Sequence, residues 1–514
     1  MGKVTFVGAG TGDPRLLTVR GAEVLETAEF VIFDPEVHPD ILGRVPEGTP
    51  RHPTSPALSP DRIGQMLAIE ARAGRHAVRI AWADPLLFNT GDVEAQAVAR
   101  YDVPIEIVPG VTAFVAVGAF AGSPLTRSSD ASPSVAVVTV TRGHESLHEW
   151  DKLAMATDTL SILCDAESIP EVARTLVFYG RSPNEHVTLV ENVSRPTQTV
   201  LETQLSQVPL LPRIKAPRAV LVVGDRATRM TELAWLEKQP LFGRRILVTR
   251  AKEQAGKTAS MLRERGADPV VVPTIEIHPP PDPAPLADAV THLSRYGWVV
   301  LTSANGVERL WAELERQGRD ARAFASAKIA AIGPGTAAAL SKHGVTADLV
   351  PRDHKGEGLA AELLRAIDPT AEPKPRILLA RAEVARDVVP DALRAAGCAV
   401  DVVPAYRTQS PPKPLIEALA ALLEANEIDA VTFTSSSTVE HFCSALAGRA
   451  PDLLANTCVA SIGPITTETA ERLGVRVDVT AETHTVPGLV SALERHFASL
   501  NDLAQTGTRR VTAS

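Results

Sequence analysis

The chain has 514 residues, 45% of them hydrophobic and 22% charged, with 61 acidic against 52 basic side chains and a formal charge of −9; on length this is three or four soluble globular domains, roughly. A net-acidic chain with 4% aromatics offers neither the basic surface nor the stacking platforms that nucleic acid needs, although local arginines and backbone N–H groups can still hold an anionic small molecule. No apolar run reaches the ~18–20 residues of a membrane helix and the N-terminus enters a strand directly, so a cytoplasmic protein without membrane association is expected. Cys164, Cys398, Cys443 and Cys458 are scattered, with no C-x-x-C pair; this predicts buried thiols and no metal site.

In chain order, residues 3–9 form an apolar strand that runs into Gly8-Ala-Gly-Thr-Gly-Asp-Pro14, followed by a helical pattern over 16–28 and a strand over 30–34. Further strands are predicted at 77–81, 104–108, 134–141, 158–163, 186–191 and 218–223, with helices at 61–73, 92–100 and 168–178 between them. This alternation predicts a mostly parallel sheet covered by helices. Gly8-x-Gly10-x-Gly12 with Asp34 ending the next strand imitates a dinucleotide fingerprint, but the third glycine comes one position early. Asp13 at the helix start would also repel a pyrophosphate. A dinucleotide site, a tight structural turn and the family relation given below all read on to this loop. A short connector over 225–243 contains Trp235, and proline clusters at 273–285 and 369–375 mark edges between lobes.

From Arg244 onwards the sequence is written twice. Ile246-Leu-Val-Thr-Arg250 returns as Ile377-Leu-Leu-Ala-Arg381, Leu301-Thr-Ser-Ala-Asn-Gly-Val307 as Phe433-Thr-Ser-Ser-Ser-Thr-Val439, and Ala331-Ile-Gly-Pro-Gly-Thr-Ala337 as Ser461-Ile-Gly-Pro-Ile-Thr-Thr467. Gly358-Leu-Ala-Ala-Glu-Leu-Leu364 returns as Gly488-Leu-Val-Ser-Ala-Leu-Glu494; the offsets are 131 (Arg250 to Arg381), 132 (Ser303 to Ser435) and 130 (Gly333 to Gly463). So long a period is too large for a solenoid and describes two similar α/β lobes, whose facing turns form a ligand cleft.

The first half resembles a known family. Val4-Thr-Phe-Val-Gly-Ala-Gly-Thr-Gly-Asp-Pro14 and on to Arg20, Ala83-Asp-Pro85, Val108-Pro-Gly-Val-Thr112, Ala121-Gly-Ser-Pro-Leu-Thr126 and Val190-Glu-Asn-Val-Ser-Arg-Pro196 are similar to the tetrapyrrole methylases, specifically uroporphyrinogen III C-methyltransferase, over about 3–230. The resemblance implies two α/β subdomains with S-adenosylmethionine in the cleft between them, held at Asp84, Pro85, Thr112 and Ala113. It also implies an opening loop (Gly12, Asp13, Arg20) that faces the tetrapyrrole, and a homodimer formed through this domain. Asp13 and Arg20 read equally as a cap and a surface residue. The departures are Trp82-Ala83 where the family has Gly-Gly, Arg51-His-Pro-Thr-Ser-Pro56 for a Lys/Arg-rich stretch, Pro124-Leu-Thr-Arg-Ser128 for Pro-Leu-Thr-His-Arg, and Cys164-Asp165 for Met-Gly. Basic groups that could grip substrate carboxylates are missing or shifted, so a working methyltransferase and a non-catalytic scaffold or binding module both stand.

The duplicated motifs, together with Pro404-Ala-Tyr-Arg-Thr408, resemble uroporphyrinogen III synthase over about 243–497. The fold class expected for the chain is therefore α/β throughout: a tetrapyrrole-methylase-like pair of α/β subdomains (1–230), a linker (231–243) and a bilobed α/β synthase fold with two parallel-sheet lobes (244–497). Lobe 1 would take about 244–275 with 408–497 and lobe 2 about 276–405, leaving 498–514 as a polar, disordered tail. The implied chemistry is closure of hydroxymethylbilane, received from hydroxymethylbilane synthase, with ring D inverted and no cofactor in the synthase domain. Helix-start turns suit substrate carboxylates, which selects Thr302, Ser303, Asn305, Gly333, Ser435, Ser436, Gly463 and Thr466. Arg381 is the guanidinium suited to a carboxylate, and Tyr406 matches the family's tyrosine as donor to the departing hydroxyl. Helix caps, a surface ion pair and interlobe packing are the plain structural alternatives for these residues. A two-lobed binding protein without catalysis is the rival for this half.

Overall fold

A computed structural model describes residues 2–511 apart from 128–132, 226–227, 251, 275, 326, 368–372 and 410; of 252–254 and 501–511 the backbone alone is described. Ser128 of the 124–128 motif and the start of the proline cluster at 369–375 therefore lie outside the described residues. The backbone divides into two compact units: 1–245 with 261–269 and 494–514, and 246–260 with 270–493. Among the described residues no helix is long and apolar enough to cross a membrane.

In the first unit, β1 (Lys3–Gly8), β2 (Phe30–Phe33), β3 (Arg51–Pro53), β4 (His76–Ala81) and β5 (Ile105–Val108) form an all-parallel sheet in the order β3-β2-β4-β1-β5. Val4, Phe6, Val7, Val31, Ile32, Val78 and Ile80 are all fully buried, because successive side chains enter two separate cores, one under each face of the sheet. The helix expected over 16–28 begins at Val19. Asp13 caps a single 3-10 turn at Pro14–Leu16 first, and Thr18 then caps the helix by accepting from the Gly21 N–H.

The second sheet corrects the expectation of mostly parallel pairing. β6 (Val135–Val140), β7 (Thr159–Asp165), β8 (His186–Glu191), β9 (Thr199–Gln204) and β10 (Arg218–Val223) are ordered β6-β7-β10-β8-β9, and only β6 and β7 run parallel. A parallel crossover needs about a dozen residues or more, and the turn over 192–198 is too short to give one, so β8 and β9 close as a hairpin. The segment read as a linker is docked on the helix Ala113–Ala121: Trp235 Nε1 donates to the Ala119 carbonyl at 3.0 Å, and Leu236 is buried against that helix.

The C-terminal half adds two five-stranded sheets. Its strands are β11 (Arg245–Val248), β12 (Asp268–Val271), β13 (Glu276–His278), β14 (Trp298–Leu301), β15 (Lys328–Ala331), β16 (Ile377–Ala382), β17 (Val400–Gln409), β18 (Ala430–Phe433), β19 (Cys458–Ser461) and β20 (Val479–Thr480), ordered β12-β11-β18-β19-β20 and β13-β17-β16-β14-β15. The two copies of the repeat exchange their first strands. β11, from the first copy, pairs with β18 of the second, while β16, from the second, pairs with β14 of the first. In the sequence reading the ordered chain stops near 497, but the last helix runs over Val486–Val511; no proline interrupts 488–511.

Candidate functional site

A cavity of about 1250 Å³ opens in the first unit where the loops after β1 and β4 face β7, β8 and β10. Backbone-to-backbone packing shapes its rim. Gly10 and Ala83 exchange N–H···O bonds of 3.1 Å, and a Cβ on Gly110 would sit 1.9 Å from the Ala83 carbonyl oxygen. Ala83 itself has φ of 55°, a left-handed conformation costly for alanine, so the departure from Gly-Gly at 82–83 is accommodated at a cost in strain. Trp82 lines the cavity wall.

The cofactor positions inferred from the resemblance separate. The Asp84 carboxylate accepts from the backbone N–H groups of Leu86, Leu87 and Gly110 at 2.9, 3.0 and 3.0 Å; it organises its own loop, and neither it nor Pro85 lines the cavity. Ala113 does line it, and the hydroxyl of Thr112, at the start of the same helix, is buried with no hydrogen-bond partner among the described residues. Of the opening loop, Gly12 has φ of 124° and lies against the Arg195 guanidinium, where a Cβ would come within 2.3 Å of Nε. Asp13 caps its turn and pairs with Arg15 at 2.7 Å. Arg20 sits instead in an exposed ion cluster with Glu23 of its own helix and Glu106 on the edge strand β5.

The cations absent from the expected positions come from elsewhere. Arg195, Arg213 and Lys215 line the cavity, and their side chains meet no carboxylate among the described residues; Arg142 and Arg218 also line it, paired with Glu167 and Asp165. Arg195 was legible, since it stands inside the Val190–Pro196 motif. Its loop is held in left-handed conformations at Asn192 and Ser194 (φ 51° and 70°) and pinned by a 2.6 Å bond between Ser194 Oγ and Thr11 Oγ1; such strain persists only where the surroundings enforce it. Arg213 and Lys215 lie in a stretch without periodicity and gave no signal.

In each sheet of the C-terminal half two of the duplicated turns lie side by side at the carboxyl ends of parallel strands, beside the point where strand order reverses, the usual ligand position in open α/β sheets. Ser303 follows β14 and caps the helix Ala304–Arg316, accepting from the Gly306 N–H at 3.0 Å. Gly333 follows the neighbouring β15 and starts the helix Pro334–Lys342. Thr302 and Asn305, half-buried, flank Ser303 at the first of these two helix starts. In the other sheet Ser435 caps the helix Ser436–Ala445 through a capping box with Thr438, next to Gly463 at the start of Pro464–Arg472. Ser436 ties these two helices together, donating to the Ile465 carbonyl at 3.3 Å and accepting from Thr469 Oγ1 at 2.9 Å.

Two candidates are turned elsewhere. Thr466 is 5% exposed, folded into the core beneath its helix start. Arg381 is 8% exposed, and its guanidinium donates to the Arg386 carbonyl at 2.8 Å and to Asp387 at 2.5 Å, so a local loop occupies it. A further duplicated pair escaped the sequence reading: His354 lies against Gly333, and His484, 130 residues on, against Gly463. Tyr406 is brought to Ser303, donating its hydroxyl proton to Ser303 Oγ at 3.0 Å. Burial pushes the Tyr406 phenol above its ordinary pKa, with the Ser303 hydrogen bond opposing.

These features define a two-part α/β protein, a cavity-bearing pair of sheets followed by a second pair of sheets with paired helix starts. The family of uroporphyrinogen-III synthase HemD matches residues 256–491, and that of tetrapyrrole (corrin/porphyrin) methylases matches residues 3–209. The porphyrin biosynthesis protein HemD of Ruminiclostridium josui is 31% identical over 506 residues, covering 96% of this chain and 97% of that one. Sirohaem synthase 1 of Yersinia enterocolitica is 33% identical over 46% of this chain and 52% of its own, so the chain spans about half the length of that relative. Among solved structures, uroporphyrin-III C-methyltransferase of Thermus thermophilus is 32% identical over 45% of this chain and 99% of its own, with a TM-score of 0.39; the same enzyme has been crystallised with S-adenyl homocysteine. The chain belongs to the HemD family in which a tetrapyrrole methylase domain is fused to a uroporphyrinogen-III synthase domain. It is thus a cyclising synthase joined to a methylase-fold domain.

Proposed function

We propose that the C-terminal domain closes hydroxymethylbilane, a linear tetrapyrrole with eight carboxylates, to uroporphyrinogen III. The hydroxyl leaves, ring D is attacked at its substituted carbon, and the spiro intermediate reopens and closes with that ring inverted. An unassisted chain closes without inversion, so the main task is to hold one conformation. The observation that carries this reading is the pairing of helix starts at Ser303 with Gly333 and Ser435 with Gly463: each start directs unsatisfied N–H groups outward, and such groups suit carboxylates. The Tyr406–Ser303 hydrogen bond is where the departing hydroxyl is met. Catalytic amounts of the full-length protein should consume hydroxymethylbilane faster than it closes by itself, without added cofactor. A rate equal to the spontaneous one overturns the reading.

A second reading concerns the first unit. The cavity lined by Ala113, beside the Thr112 hydroxyl that no described residue engages, with Arg195, Arg213 and Lys215 available to a carboxylate, fits S-adenosylmethionine. Bound there, that group would supply the methyls placed on C2 and C7 of the synthase's product, giving precorrin-2. Trp82 on the cavity wall, and Asp84 turned to its own loop, favour the variant in which the domain binds without transferring. Calorimetry with S-adenosylmethionine, paired with mass analysis of the product, separates them: binding with methylated product supports transfer, binding without it supports a holding role, and no binding removes both.

A further inference from the structure

Hydrogen bonding around Ser303 leaves one donor unaccounted for. Its Oγ accepts from the Gly306 N–H at 3.0 Å and from the Tyr406 hydroxyl at 3.0 Å. A serine hydroxyl has two lone pairs and one proton. Both lone pairs are therefore filled, and the proton has no acceptor among the described residues. Tyr406 has the opposite inventory: its single proton goes to Ser303, which leaves it only acceptor capacity, and it is 8% exposed whereas Ser303 is half-buried.

The other copy of the repeat shows that this is not a by-product of helix capping. Ser435 caps its helix as Ser303 does, yet its hydroxyl donates to Thr438 Oγ1 at 3.3 Å and lies 3.0 Å from Ser437 Oγ, so its proton is used within the helix start. The neighbour that frees the Ser303 proton is itself placed by an irregularity. Along β17, Pro404 pairs with Arg381 but Tyr406 pairs with Ala382. One residue is extra, and a bulge of this kind re-aims the side chains around it.

We propose that Ser303 is the group that touches the departing hydroxyl, and that Tyr406 is a positioning residue acting through it. This rests on the synthase reading given above. The Ser303 O–H donates to the hydroxymethyl oxygen of the substrate. The C–O bond breaks with its electron pair going to oxygen, and the pyrrole nitrogen releases its proton as the neutral methylene-pyrrolenine forms. Hydroxide and that proton leave together as water, so neither side chain ends with a changed charge. Tyr406, donating into Ser303, orients the serine and strengthens it as a donor, because hydrogen bonds in a chain polarise one another.

The test is steady-state kinetics of the full-length protein on hydroxymethylbilane, comparing Ser303→Gly, Ser303→Thr, Tyr406→Phe and the double variant Ser303→Gly/Tyr406→Phe. Glycine is tolerated at a helix cap for a few tenths of a kcal/mol, roughly, and threonine keeps both the cap and the hydroxyl, so together they separate chemistry from folding. Ser303→Gly should lower kcat by about 10²-fold with KM within about threefold. Tyr406→Phe should lower it by less, the double variant should match Ser303→Gly, and Ser303→Thr should recover most of the loss. A larger loss in Tyr406→Phe than in Ser303→Gly, losses that multiply in the double variant, or wild-type kcat in both single variants overturns the proposal. A wild-type protein that does not convert hydroxymethylbilane fails the synthase reading itself, and this inference with it.

Discussion

Ser303 and Ser435 hold the same place in the two copies of the repeat and differ in what surrounds them, and sequence alone does not carry that difference. Serine after Thr in a repeated Thr-Ser turn was legible as a helix start; that Tyr406, 103 residues on, reaches one of them was not, since it depends on a bulge in β17. For Ser435 the capping role is tested directly. Ser435→Ala removes the half of the capping box in which the serine Oγ accepts from the Thr438 N–H and should cost about 1 kcal/mol, read as a lower denaturant midpoint; an unchanged midpoint would mean that Thr438 sustains the start alone. Arg381 shows the reverse case: a guanidinium read as substrate-facing is taken by Asp387 six residues on, through a loop whose fold no spacing encodes. Glu106 gives a pH prediction. Hydrogen bonds from Arg20 and then Lys3 hold its carboxyl down at about 2. A depressed acid stabilises the fold above its unfolded pKa of about 4.3 and loses that contribution as pH falls through its folded pKa. The window is therefore about pH 4.5 to 2, and because Glu106 and its partners are about a third to half exposed, screening limits the effect to about 1 kcal/mol or less. Glu106→Gln should lower the melting temperature slightly at pH 7 and converge on wild type near pH 2; a gap that persists at pH 2 would contradict the assignment.

Among the elements, the ones that sequence reveals are those whose side chains must be buried. β2 and β10 are nearly continuous apolar runs, β1 and β4 are interrupted only by Thr5 and Arg79, and all four lie where those runs predict. β3 and β9 were missed because Arg51-His-Pro53 is exposed and Thr199–Gln204 alternates with charged and polar residues at a sheet edge. The antiparallel pairing of the second sheet was misread because strand content does not report connection length. The loop after β4 supplies two predictions. Ala83→Gly relieves a left-handed alanine and should raise stability by about 1 kcal/mol, measured as a higher denaturant midpoint; a loss would mean that the methyl packs usefully. Beneath the same loop, Arg79 is 2% exposed and donates to Glu94 at 2.8 Å and to Asp34 at 2.7 Å, while Asp34 also accepts from the Trp82 N–H. Arg79→Leu would strand Glu94, which is fully buried, and should destabilise the first unit by about 3–5 kcal/mol. A variant that melts like wild type would show that the network is dispensable.

At the scale of the whole chain, a repeat in sequence and a lobe in space prove to be different objects. Each copy sends its first strand into the other's sheet, so that neither copy is a self-contained sheet; the exchange places Ser303 and Arg381 in one sheet and Arg250 and Ser435 in the other. The methylase-fold half keeps a large cavity although several motif residues differ from the family pattern, because its rim depends on Gly8, Gly110 and the Asp84 carboxylate, all of which are present. The central claim is that the C-terminal domain directs ring closure, and analysis of the cyclised product tests it most directly. Purified full-length protein given hydroxymethylbilane, with isomers resolved after oxidation, should yield type III uroporphyrin. A product composed only of the type I isomer, from a protein shown to be folded, would contradict it.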